Sequence, residues 1–460
     1  MSPEWVSILA LIALFVVGTV LPINMGALAF VAAWLVGMYS LNLDEKEIIA
    51  GISGDLVLTL VGVTYLFAIA KNNGTVDVIV RSAVRAVGGR VVLIPWVMFG
   101  VTAVLTAIGA ASPAACAIIG PIALGFAGRY KINPLMMGMF VVHGAQAGGF
   151  SPISIYGTIT NSVMEDSNLP SGEMAIFLTS LFFNLAIAIV LFFALGGRDL
   201  MSRRIDADEP AHDSGHDTGH DTEHPAGGTT PTTPTGGTGG TATDTRTDVT
   251  TAGPGTAVAS KLAVDQVVTL LAFLVVAVLA LVFDRNIGFT AITAAVVLTA
   301  LFPKAQRGAV HQIAWATVLL VAGVSTFATI LSTAGVPEYV GTWAAGLGSV
   351  LIGALVLCYV GGVVSAFASS TALLPIIIPI AIPLIASGNV SAVAIVAALA
   401  VASTIVDVSP FSTNGALMVA NRPDTIDEER YYKQILGYSA IVVVVGPLLV
   451  WLAVVVPGWV

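Results

Sequence analysis

The stretch Ser409-Pro410-Phe411-Ser412-Thr413-Asn414-Gly415 lies close behind an apolar run of Ala, Val and Ile, and its reading decides the fold. Two serines, a threonine, an asparagine, a proline and a glycine in such a place break the helix that carries them. The same pattern, Ser151-Pro152-Ile153-Ser154-Ile155-Tyr156-Gly157, stands 258 positions earlier. Within hydrocarbon a backbone leaves the helix only where protein or a water-filled cavity satisfies its freed N–H and C=O groups. Each stretch is therefore expected to leave half-helix ends in mid-membrane, with N-termini suited to an anion and carbonyl ends suited to a cation.

Composition agrees with a membrane setting. Of 460 residues, 56% are hydrophobic and 10% charged, and the mean hydropathy is +0.93, outside the range of soluble domains. A spanning helix needs about 20 mostly apolar residues. Such runs lie at 5–22, 24–41, 56–71, 133–150, 172–196, 263–283, 287–302, 312–333, 391–408 and 436–456, which makes ten spans. Residues 91–127 and 348–387 are too long for one crossing and are interrupted by short polar groups, so they predict re-entrant helical hairpins. The first run lacks a basic start and a small-residue cleavage site, and is expected to stay in the mature protein. The fold class is an all-α polytopic membrane protein.

The formal charge of -9 is concentrated in one segment: residues 205–258 carry nine Asp or Glu and one Arg. Rich in Gly, Thr, Pro and Asp, residues 201–260 read as a disordered linker between a first half at 1–200 and a second at 261–460. Its histidines, His212, His216, His220 and His224, are spaced four apart beside carboxylates. Without a fold to set their geometry they are expected to form a solvated tether, and no metal site is assigned. Cys116 and Cys358 fall in apolar helices and read as small core residues. Residues 424–434 suggest a cytoplasmic surface helix leading into the last span.

The halves align beyond the opening motif. Ser112 falls on Ser370 and Pro121 on Pro379 at the same offset, while Gly62 pairs with Gly323 and Gly74 with Gly335. Each half then holds five crossings, a hairpin and a broken span. An odd number of crossings inserts the halves upside down relative to each other, the inverted-repeat plan of many secondary transporters. Charge gives an independent check, because Lys and Arg collect in cytoplasmic loops. With both termini outside and the linker cytoplasmic, only Lys46 and Arg285 of 18 basic residues fall outside.

The breaks and the hairpin tips bring four polar points together. Candidate substrate ligands are Ser112 in the first tip, Ser151, Ser154 and Thr158 in the first break, Ser369, Ser370 and Thr371 in the second tip, and Ser409, Ser412, Thr413 and Asn414 in the second break. Asp407 has no basic residue in any span to pair with it, which points to a coupling cation, Na⁺ or H⁺. Ser112, Gly157, Thr371 and Gly415 are the further candidates for holding that ion. His143 is a possible proton relay, although a neutral histidine packed against a neighbouring helix is the plainer reading. An intramembrane hydrolase using His143 with Ser151 or Ser154 is disfavoured, since the chain has no G-x-S-x-G and the duplicated serines would be unexplained.

With SPISIYGT and SPFSTNGA as its most telling stretches, the chain resembles the ion transporter superfamily, and within it the bacterial dicarboxylate carriers of the malonate carrier (MatC) type, relatives of the divalent anion:sodium symporters. The resemblance covers essentially everything outside the linker. It implies an elevator-type carrier of small di- or tricarboxylates, driven by Na⁺ or H⁺, in the bacterial inner membrane, commonly a homodimer, with no nucleic acid partner and no cofactor beyond the coupling ion. In the symporter branch each tip bears a Ser-Asn-Thr signature holding substrate and sodium, roles that fall here on Ser112 and on Ser369, Ser370 and Thr371. Neither tip of this chain has the asparagine, and Asp407 and Asn414 stand as its replacements. A Na⁺/H⁺ antiporter of the same superfamily is the alternative expectation.

Overall fold

The computed structural model describes residues 2–21, 23–86, 88, 90–201, 262–283, 285–305, 307–347, 349–367, 369–386 and 390–458. Apart from Met201, the expected linker and its four histidines lie outside the described residues. Residues Met1–Arg204 and Leu262–Val460 form one compact unit. The described residues are helical, with no strand among them. The first half runs α1 (Pro3–Val20), α2 (Met25–Ser40), α3 (Gly54–Asn72), α4 (Thr75–Ala86), α5 (Leu93–Ala107), α6 (Ser112–Arg129), α7 (Pro134–Gly148), α8 (Ile155–Asp166) and α9 (Glu173–Ala194). The second runs α10 (Val264–Leu281), α11 (Ile287–Leu301), α12 (Trp315–Thr333), α13 (Val336–Ala345), α14 (Val350–Ser365), α15 (Ser370–Ala386), α16 (Ala392–Ile405), α17 (Thr413–Ala420) and α18 (Glu428–Val450). Apart from the short helices Glu45–Ala50 and Gly197–Met201, each helix of the first half thus has a counterpart nine places on.

Seven helices are long and apolar enough to cross a membrane: α1, α3, α6, α9, α10, α12 and α18 with its extension to Val455. Of the other expected spans, three are the shorter apolar helices α2, α11 and α16, and the run at 133–150 is α7. The expected hairpins are the helix pairs α5–α6 and α14–α15, and α6 by itself meets the length of a span. Residues 428–434 do not form a separate surface helix, because α18 runs unbroken from its cap at Asp427, whose side chain accepts from the Arg430 N–H, through to Val450. Large apolar side chains such as Phe182, Val190, Leu274, Phe289, Ile441 and Val444 are exposed on α9, α10, α11 and α18, as expected of a surface solvated by lipid.

Local signals recur in both halves. Asn133 caps α7 and Ser391 caps α16; Asn24 caps α2 and Asn286 caps α11. Gly74 and Gly335 both turn the chain at φ +76°, a conformation that glycine alone adopts freely.

The packing between halves comes in exchanged pairs. Helix α2 lies along α12, and α3 along α11. At these crossings a Cβ on Gly26 or Gly323 would collide with the opposing backbone, and one on Gly62 would stand 2.7 Å from the Gly288 carbonyl oxygen. Small residues let membrane helices approach closely where lipid offers no hydrophobic drive to association. Likewise α9 packs on α16 as α18 does on α7, and α6 on α17 as α15 does on α8. The innermost helices are α7 and α16, buried on every face over Leu135–Gly148 and Ala394–Ile405. The exchange fails in one place. Helix α15 rests on α12 and α8 on α3, while the counterpart pairs α6–α3 and α17–α12 have no comparable interface. A gap is left on that side.

Candidate functional site

Both central helices stop midway. After Gly148 the chain passes through 149–154 before α8 begins, and after Ile405 it passes through 406–412 before α17 begins. The freed backbone groups are satisfied from within each break. Ser154 Oγ donates to the carbonyls of Gly149 and, at 2.6 Å, Ser151, and it accepts from the Gly157 N–H. Ser412 Oγ donates to the Ser409 carbonyl at 2.7 Å, and Ser409 Oγ accepts from the Phe411 N–H. Gly157 and Gly415 close these turns: a Cβ on either would overlap the carbonyl oxygen of Ser151 or Ser409. Much of the polarity in the duplicated motif therefore serves the break itself.

The gap is a cavity of about 400 Å³. It is lined by both tips (Ala110 to Pro113 and Phe367, Ser369, Thr371), both breaks (Gly149, Ile155, Tyr156 and Phe411 to Thr413), and the ends of α1, α2 and α12 (Gly18, Thr19, Ile23 to Met25, Ala316, Thr317, Leu320). Six helices begin here: α2, α6, α8, α12, α15 and α17. Each start carries roughly half a positive charge, and Asn24 and Ser154 already accept from the Gly26 and Gly157 N–H groups at two of them. Among the described residues no Lys or Arg lines the cavity.

Of the candidate ligands, Ser112, Ser369, Thr371, Ser412 and Thr413 line this cavity. Ser151, Ser154, Thr158, Ser370, Ser409 and Asn414 do not. Ser370 is turned into the second hairpin, 2.8 Å from Ser365 Oγ and donating to the Ser403 carbonyl at 3.2 Å. Asp407 is buried just behind the wall: Asn414 Nδ2 donates to its Oδ2 at 2.8 Å, and the Ser412 hydroxyl and the Thr413 and Asn414 N–H groups lie against the same carboxyl. Asn414 Oδ1, fully buried beside it, has no partner among the described residues. Gly157 and Gly415 shape the turns, and their places are explained by backbone geometry. His143 does not line the cavity and is fully buried, with Asn184 Oδ1 2.8 Å from Nδ1 and the Tyr438 hydroxyl 2.6 Å from Nε2. The Asn184 amide donates to the Ser180 carbonyl, so its oxygen faces the ring and accepts from Nδ1. The ring is thus packed against α9 and α18.

Sequence reasoning missed Tyr156, which lines the cavity together with Ser112 and Thr371, one from each tip. It also missed the side of the cavity formed by α2 and α12, where Asn24 Nδ2 donates to the Ala316 carbonyl at 3.1 Å, and the stacked pair Phe367 and Phe411, 5.7 Å apart, between the second tip and the second break. The offset of 258 places Tyr156 opposite Asn414 and was the available signal.

An all-helical chain with a polar cavity assembled from broken helices between apolar, lipid-exposed faces is a multi-pass membrane transporter. Comparison with known families agrees. Residues 1–149 match the dicarboxylate carrier protein MatC N-terminus, and residues 249–451 match the Na⁺/H⁺ antiporter family. Together the two matches support a MatC-type ion transporter; both families are transporters and not enzymes. No curated protein matches the chain.

Proposed function

We propose that this chain is a secondary active transporter of small dicarboxylates of the malonate, malate or succinate type, coupled to Na⁺ or H⁺. The carrying observation is the convergence of six helix starts on a cavity without a basic side chain. Six starts at roughly 1 kcal/mol each are comparable to the effective desolvation penalty of one buried charge, several kcal/mol. A dianion brings two charges, and an ionised Asp407 beside it would add a third. A proton or Na⁺ on Asp407 removes that third charge, so carboxylate entry and cation binding are linked. The buried, unpartnered Asn414 Oδ1 supports a role for that amide at the ion.

A second cavity supports alternating access. It has a volume of about 510 Å³ and is lined by Asn286, Ile287 and Asp55, the counterparts of Asn24, Met25 and Ala316, together with Pro152 and Thr158 of the first break. Asp55 closes it by accepting from Asn286 Nδ2 and from Ser162 Oγ. With the charge pattern setting orientation, the first cavity is open to the cytoplasm and the second is the shut outer vestibule. In this reading the halves are inverted in the membrane, and α5–α9 with α14–α18 move as one body against a dimerising scaffold of α1–α3 and α10–α12.

The test is uptake of labelled malonate, succinate and malate by purified protein in liposomes under a Na⁺ gradient, a pH gradient or neither, with Asp407→Asn beside wild type. Uptake that needs one gradient and falls at least 100-fold in the variant is expected. The match of residues 249–451 favours a second reading, a Na⁺/H⁺ antiporter with Asp407 as its main group. Cation flux indifferent to every carboxylate would establish that reading and end the first.

A further inference from the structure

The open cavity has an aromatic wall whose counterpart in the other half is buried and much smaller. Phe367 in the second tip and Phe411 in the second break stack at 5.7 Å and 24°, line the cavity, and are 51% and 54% exposed. At the offset of 258 their counterparts are Gly109 and Ile153, both buried. Gly109 turns the first tip at φ +107° against α3, where a Cβ would stand 2.1 Å from Val63 Cγ1 and 3.7 Å from the Ile153 carbonyl oxygen. First tip, first break and α3 thus meet at one point. The second half is arranged differently. Val324, the counterpart of Val63 on α12 at the offset of 261, is packed in one cluster with Ala372 and Ile376 in the first two turns of α15, and Phe367 and Phe411 are left uncovered. Equivalent helices therefore meet equivalent hairpins at different levels, α3 at the tip and α12 beyond it. Exchange of the two conformations between the halves would bring the second tip to Val324.

We propose that Phe367 and Phe411 form the inner gate: when the halves exchange conformations, the stacked rings close against α12 near Val324 and seal the cavity from the cytoplasm. The inference rests on the alternating-access reading above. A phenylalanine cannot reproduce the approach of Gly109, where even a Cβ collides, so the inner seal is made by apolar area and not by a tight backbone contact. The two sides are then shut by different means, a glycine contact with the Asp55 hydrogen bonds outside and an aromatic pair inside. Each half-exposed ring gains on closure about half of what full burial of a Phe side chain supplies, so removing one should disfavour the inner-shut state by roughly 3- to 10-fold.

The experiment places a reporter cysteine, Asn161→Cys, in the outer vestibule, the native Cys116 and Cys358 being buried. Its labelling from outside by an impermeant maleimide, which follows the population of the inner-shut state, is measured in the otherwise wild-type protein and with Phe367→Ala, Phe411→Ala or Phe411→Leu, beside carboxylate uptake. Each Ala variant is expected to label about 3- to 10-fold more slowly, with Tm unchanged because both rings are half exposed here, and to transport with a lower Vmax and a KM within about twofold. Phe411→Leu keeps an apolar seal and should label near the wild-type rate. Labelling at the wild-type rate in both Ala variants overturns the proposal, and a raised carboxylate KM with that unchanged labelling makes the rings a wall of the binding site alone. If wild type moves no carboxylate, the substrate reading fails by itself and the labelling still decides the gate. A reporter that never labels in the wild-type background ends the alternating-access reading and the gate with it.

Discussion

The breaks at 149–157 and 407–415 share backbone and differ in chemistry. Both hold Ser-Pro, both return a serine hydroxyl to a carbonyl three residues back, and both close on a glycine that packs against that carbonyl. The first then fills its centre with an aromatic ring, and the second with a carboxylate and an amide. Duplication preserved what a broken helix in hydrocarbon requires, namely satisfied backbone groups and room for a tight turn. It left free the positions at the centre of each break, Gly149 against Asp407 and Tyr156 against Asn414. The shared residues thus serve the broken backbone, and the unshared ones set the chemistry in which the two breaks differ.

That division can be attacked directly. The largest effect is expected at the shared glycines: Gly157→Ala and Gly415→Ala each force a Cβ onto a carbonyl oxygen, and both should abolish monodisperse, folded protein on size-exclusion chromatography. A variant that folds and transports would show that the breaks have slack. Next come the paired serines. Ser154→Ala removes a hydroxyl with three internal partners and should cost roughly 1–3 kcal/mol, seen as a lower Tm with the carboxylate KM retained. Ser412→Ala removes a hydroxyl that lines the cavity beside Asp407, and should shift the cation dependence of uptake with a smaller change in Tm. Equal behaviour of the two would erase the comparison. The smallest effect is expected at Ser162→Ala, which cuts the 3.3 Å contact between α8 and Asp55. An exposed bond of that length contributes about 0.5–1 kcal/mol, so labelling of a cysteine placed in the outer vestibule should rise by a few-fold.

Most of the helices were legible because apolar runs, capping residues and breakers are local signals. Asn133 before Pro134, Ser391 before α16 and the Ser-Pro breaks each state their roles within a few residues. The join at 428–434 was misread because a charged, amphipathic turn continues smoothly into an apolar one, and hydropathy marks the change of solvent, not the end of the helix. Six of the eleven candidate ligands lie off the cavity for a related reason. Ser, Thr and Asn look alike in sequence whether they serve a ligand or a freed carbonyl, and Ser370 and Ser154 have partners that only packing reveals.

The sequence by itself determined the membrane class, the two related halves, the sites of the breaks and tips, and Asp407 as an acid without a basic partner in any span. These follow from composition, period and offset, which are properties of the chain read in order. The tertiary structure alone decided that six helix starts face one cavity, that Asn414 turns to Asp407, that Tyr156 lines the cavity, and that His143 pairs with Asn184 and Tyr438. Direction is the physical reason: a side chain's partners depend on where helices from opposite halves cross, and no local pattern encodes a crossing.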